Sequence, residues 1–103
     1  MWEMTILLDE DRCRHIEGGD VNELKSLVNS RKYNAVYTAM TKAGSDIYAL
    51  IAELVYKYEF LRMKERRDSD RFSFGDMVRV KDAQTGMTYD FLHCMTGTLY
   101  EMV

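Results

Sequence analysis

Residues 46–67, DIYALIAELVYKYEFLRMKERR, hold the longest unbroken helical pattern in the chain. No Gly or Pro interrupts them, and Gly44-Ser45-Asp46 supplies a start signal. Ile47, Leu50, Ile51, Leu54, Val55, Tyr58 and Leu61 recur at three- and four-residue steps, so they share one helical face. A second line, Tyr48, Ala52, Tyr56, Phe60 and Met63, runs beside the first. Glu53, Lys57 and Lys64 form the polar strip, with Glu53 and Lys57 in the favourable i,i+4 order. A helix apolar over so much of its circumference is expected to be buried on more than one side. At 1.5 Å per residue it spans about 33 Å, the width of a small domain, which makes it the expected spine.

Around that spine the local signals arrange the chain as helices first and strands last. Met1 to Leu8 is a short apolar stretch, expected to be an edge strand or an N-terminal arm. Asp9 has the character of a helix N-cap, with Glu10 and Asp11 in the first turn and Gly18-Gly19 as the stop. Asp20 with Glu23 forms a capping box for a second helix, whose buried stripe is Val21, Leu24, Leu27 and Val28. Asn34 caps an expected short third helix through Ala35, Val36, Ala39 and Met40. Beyond the polar Asp68-Ser69-Asp70 the period changes to two. Phe72, Phe74, Val78 and Val80 alternate with polar residues, with a turn or bulge at Gly75-Asp76. Residues 82–86, DAQTG, suit a hairpin loop, and Met87 to His93 and Thr98 to Val103 are the following strands. The expectation is one α+β domain over residues 1–103: N-terminal helices over about 9–67, including the long central helix at about 46–67, then a C-terminal three-stranded antiparallel meander over about 72–103. The first three helices would cover the Ile47–Leu61 face, leaving the meander to shield the aromatic line.

A chain of 103 residues has room for one core. Its 47% hydrophobic and 30% charged residues are those of a globular protein rather than a disordered tail. Apolar runs such as Ile6-Leu7-Leu8 are too short to cross a membrane, and the start MWEMTILLDEDR lacks the features of a secretory signal. Two cysteines, Cys13 and Cys94, make no disulfide framework and suit a reducing compartment, so a cytoplasmic location is expected. The net charge of −3 hides an asymmetry. Residues 1–30 carry seven acids against three bases, and residues 57–81 carry eight bases against five acids.

Two short stretches resemble known families. Gly19-Asp20-Val21-Asn22-Glu23-Leu24 and Lys42-Ala43-Gly44-Ser45-Asp46-Ile47 resemble the helix starts of ankyrin-type repeats. Their 26-residue offset, the missing Thr-Pro-Leu-His signature and the strand-rich end do not fit such an array. Phe74-Gly75-Asp76-Met77-Val78-Arg79-Val80-Lys81 is similar to the opening strand of small SH3-like barrels. Such a barrel needs about fifty residues from that point, more than the chain has left. Neither family is assigned.

No pattern of catalytic or metal-binding residues stands out. Cys13 and His15 are two apart on an expected helix, about 200° round it, and His93 and Cys94 are adjacent on an expected strand, pointing to opposite faces. Neither pair has zinc-ligand spacing, and no oxyanion element accompanies a Cys–His pairing. Gly18-Gly19 is not part of a phosphate-binding loop, and a helix start accounts for the cluster Asp9, Glu10 and Asp11. No catalytic residue, metal or cofactor is therefore expected.

Two binding surfaces remain. Tyr48, Tyr56, Phe60 and Met63 are the best candidates for contact with another protein, because Tyr and Met bury large areas at interfaces. The basic run Arg62, Lys64, Arg66, Arg67, Arg71, Arg79 and Lys81, close to Phe72 and Phe74, is the alternative, a nucleic-acid surface. Glu65, Asp68 and Asp70 interrupt that run, so it ranks second. The expected function is non-enzymatic protein–protein interaction, with a homodimer as the simplest way to bury the aromatic line. In profile the chain resembles many small phage-encoded or mobile-element inhibitors, including anti-defence proteins, although no motif carries that resemblance.

Overall fold

The apolar run that opens the chain is a strand with a neighbour on each side. The computed structural model describes residues 1–10, 21–42, 44, 46–65, 71–73, 75–93 and 100–102, with the side chains of 21, 23, 24, 27, 62–65 and 100–102 outside the description. Its elements in order are β1 (Trp2–Asp9), α1 (Val21–Asn29), β2 (Tyr33–Thr41), α2 (Ile47–Glu65), β3 (Met77–Asp82), β4 (Thr88–His93) and β5 (Tyr100–Met102). The strands form one antiparallel sheet in the order β2-β1-β3-β4-β5.

This overturns the expected succession of N-terminal helices followed by a three-stranded meander. The chain starts on a strand, a second strand separates the two helices, and α2 lies between β2 and β3 in sequence. β1 is not an edge strand or an arm, since it pairs with β2 on one side and β3 on the other. Ile6-Leu7-Leu8 is continuously apolar because both faces of an interior strand are covered: Ile6 and Leu8 join one core cluster, Leu7 another. Asp9 is no helix cap but the buried last residue of β1. The expected helix after it, the Gly18-Gly19 stop and the Asp20 cap lie outside the described residues.

The expected third helix is also a correction. Residues Ala35, Val36, Ala39 and Met40 belong to β2, which pairs with β1 along its whole length. The register slips at one point: Ile6 faces Tyr37 and Leu7 faces Ala35, leaving Val36 as a bulge. Apolar residues at 35, 36, 39 and 40 mimic a helical stripe, but a bulge in a strand shifts the alternation in the same way. With Val36, Tyr37, Thr38 and Thr41 favouring a pleated surface, pairing with β1 decides the outcome.

α2 matches the expected spine closely in extent. The Asp46 carboxylate accepts the Ala49 N–H at 3.2 Å, capping the first turn, and Lys57 meets Glu53 at 3.1 Å on the exposed side. Its burial differs from expectation. Ile51, Leu54 and Tyr58 pack on Met4, Ile6, Leu8, Val78, Val80 and Phe91 of one sheet face and on Phe72 from the segment before β3, with Ile47, Leu50 and Val55 at the margin. The sheet therefore covers the first line of α2 as far as Tyr58, while Tyr56 and Phe60 of the second line stay exposed. α2 is buried on one side only.

The opposite face of the sheet is largely open. Thr5 and Thr38 share a hydrogen bond there at 3.1 Å, and Arg79 grips the directly opposite Asp90 at 2.8 and 3.2 Å. At one end Leu7, Met77 and Leu92 make a small second cluster, against which Val28 of α1 and Tyr33 pack. The expected hairpin at 82–86 is present: Gly86, at φ 75°, donates to the Asp82 carbonyl at 2.8 Å, and Asp82 donates to Met87 at 2.9 Å. Gly75-Asp76 does not interrupt a strand. It is a turn ahead of β3, with Gly75 at φ 93°, while Phe74 lies outside the described residues.

Candidate protein-interaction face

Residues of the second α2 line reach solvent on a well-packed support. Tyr56 is 72% exposed and Phe60 51%, yet the neighbouring Leu54 and Tyr58 are nearly fully buried. Leu61, expected among the buried residues, is 46% exposed. Tyr56, Lys57, Phe60 and Leu61, with Tyr37 from β2, line an open depression of about 290 Å³. The depression's floor is firm, because the Tyr37 ring packs on buried Tyr58 with centroids 6.0 Å apart. Lys57 is the charged member of this lining.

The four residues expected at a protein interface divide. Tyr56 and Phe60 share the depression. Tyr48, one end of the line, is half exposed but leans edge-on against Phe91 of β4, with centroids 5.8 Å apart, so it sits elsewhere on the helix. Met63 belongs to α2, and its side chain lies outside the described ones. Tyr37 was not legible as a member, because β2 had the pattern of a helix. The signal that could have found it is the aromatic and β-branched content of Tyr33–Thr41.

The members of the basic run whose side chains are described, Arg71, Arg79 and Lys81, are split between two places. Arg79 and Lys81 are exposed and alternate with the buried Val78 and Val80, so they lie on the sheet face away from α2. Arg79 is engaged by Asp90, whose carboxylate raises the guanidinium's already high pKa. Arg71 lies 3.4 Å from Glu59 of α2, which also accepts the Phe72 N–H at 3.1 Å. Arg62 and Lys64 are on α2 with side chains outside the description, and Arg66 and Arg67 lie outside the described residues altogether.

A buried polar knot at one end of the sheet is the other place where chemistry could reside. Asp76 receives the Asp9 N–H at 2.8 Å and the Ser73 N–H at 2.7 Å on its two carboxylate oxygens. Arg31 pairs with Asp9 at 2.5 Å, both side chains almost wholly buried. The Tyr33 hydroxyl donates to the Gly75 carbonyl at 2.9 Å, and burial, then the negative Asp9, pushes its pKa up to about 12. His93 stacks on Phe72 at 5.0 Å, and burial holds its imidazole below the ordinary range. These groups tie the ends of β1 and β4 and the start of β2 to the turn before β3. Both carboxylates are engaged by backbone N–H groups or by Arg31, so the arrangement is that of a clamp. Among the described residues no three His, Cys, Asp or Glu side chains are grouped to hold a metal, and Cys13, His15 and Cys94 lie outside them. Among them, too, no helix is long and apolar enough to cross a membrane. No family model, curated protein or solved structure matches the chain.

Proposed function

We propose that the chain is a non-catalytic protein-binding domain that engages another protein through the outer surface of α2. One observation carries this reading: Tyr56, Phe60 and Leu61 stay exposed together, around a depression floored by Tyr37, on a helix whose other side is locked into the core. Contiguous exposed apolar surface marks interaction sites, and aromatic side chains held on a rigid element lose little conformational freedom on binding. Occupying a host protein's surface, the mode of action of a small phage or mobile-element inhibitor, requires no more than such a face.

The test is affinity purification from the native host with the wild-type chain and the Tyr56→Glu/Phe60→Glu double variant, under nuclease treatment, read by mass spectrometry. The expected result is a protein retained by the wild type and lost by the variant, whose circular dichroism is unchanged. Retention that nuclease abolishes, or that is indifferent to the double substitution, would overturn the reading.

A further inference from the structure

The depression borders a sheet edge with an unusual composition. β2 is the outermost strand of the sheet, and no strand among the described residues pairs with its outer side. It is nine residues long, YNAVYTAMT, and contains no charged residue, no Pro and no Gly. Edge strands normally carry such residues, or are very short, because an exposed row of N–H and C=O groups templates pairing with another chain. The opposite edge follows that rule, since β5 is three residues long. In β2 the only defence is the bulge at Val36, which leaves Tyr37–Thr41 as a straight run beside β1.

We propose that this edge is the dimerisation strand of the chain, its occupant being the same strand of a second copy, antiparallel about a two-fold axis. The proposal rests on the reading of the adjoining α2 surface as a binding face. An antiparallel edge is complementary to itself, and the usual obstacle is that a two-fold axis sets each edge charge near its own copy. Here the paired run has none. Ala39 is its middle residue, so it marks the dyad, with Tyr37 opposite the partner's Thr41 and Thr38 opposite the partner's Met40. This register also keeps Lys32 and Lys42, which flank the strand, from facing each other.

The axis of such a pair stands perpendicular to the sheet, so both α2 helices lie on the same face of one continuous sheet. The depressions lined by Tyr37, Phe60 and Leu61 then border the dyad from both sides, extending the contact from backbone bonds to apolar surface. A strand edge alone buries too little for a stable complex, and the flank supplies the remainder.

Light scattering behind a sizing column at about 100 µM, well above a typical working dimer affinity, reads the mass directly. The expected result is twice the 12.1 kDa of the chain. Met40→Lys changes an exposed side chain on the open face and places two like charges across the dyad. It should raise the dimer dissociation constant by at least about tenfold, with an unchanged circular dichroism spectrum. Asn34→Lys, exposed and beyond the bulge, should leave the dimer intact. Hydrogen exchange gives an independent readout: amides in Tyr37–Thr41 should slow as concentration rises. A monomer at about 100 µM overturns the proposal, as does a dimer indifferent to Met40→Lys whose β2 amides exchange at one rate at all concentrations. A monomer that still captures a protein through Tyr56 and Phe60 would sink the dimer and spare the binding reading. A dimer that captures nothing would do the reverse.

Discussion

Tyr56 and Tyr58 stand two residues apart on α2, one 72% exposed and the other 1%. Around Tyr58 are Ile51, Leu54 and the apolar side of the sheet. Around Tyr56 are Phe60, Leu61 and solvent. The inner and outer sides of this helix are similar in hydrophobicity, yet one is the centre of the core and the other is open surface. A globular domain that needed only to fold would gain solubility from charges on the outer side, and its aromatic content there is what supports the proposed binding role.

The comparison breaks most decisively on the inner side. Leu54→Ala should cost about 2–5 kcal/mol, the range for a buried Leu whose cavity only partly collapses. Chemical denaturation measures it, and a loss under about 1 kcal/mol would mean that the packed side has been misassigned. A smaller effect is expected at the rim of the same core, where His93 stacks on Phe72. Burial lowers its pKa from the ordinary 6.5, outweighing the opposing effect of the hydrogen bond the ring donates to the Ser73 backbone, so the fold favours the neutral ring. The sign follows from linkage. The unfolded chain takes up the proton first, so this contribution is complete above pH 6.5 and is lost as pH falls below it, through the folded-state value. Unfolding midpoints for the wild type and His93→Phe between pH 7.5 and 5 should converge or cross on acidification; parallel curves would show that the ring is not buried as described. On the outer side, Tyr56→Glu should change stability by no more than about 0.5 kcal/mol, the usual range for surface substitutions. If Tyr56→Glu unfolds the protein, the two sides of α2 are not different and the proposed face is core.

The binding candidates were only half legible before the fold was known. Tyr56 and Phe60 follow from helical periodicity, which is intrinsic to a segment without Gly or Pro. Their partner Tyr37 comes from a strand that local signals render as a helix, and Tyr48, periodic with them, packs elsewhere against Phe91. Of the basic residues whose side chains are described, Arg71 meets Glu59 of α2 while Arg79 and Lys81 lie on the sheet face away from α2, because α2 packs on one side of the sheet. The knot of Asp9, Arg31, Tyr33 and Asp76 left no sequence trace, since its members are drawn together from three separate segments.

By itself the sequence determines what short-range physics controls. The extent of α2 follows from capping by Asp46 and an uninterrupted run of helix formers, and the hairpin after β3 follows from a turn that closes on a Gly at positive φ. Tertiary structure alone decides that Trp2–Asp9 lies inside the sheet, that Tyr33–Thr41 is a strand, and which side of α2 is buried. The physical reason is that strand pairing exchanges backbone hydrogen bonds between segments far apart in the chain. Whether a residue like Tyr37 joins a helix or a strand depends on β1 being there to pair with it, and β1 lies about thirty residues away.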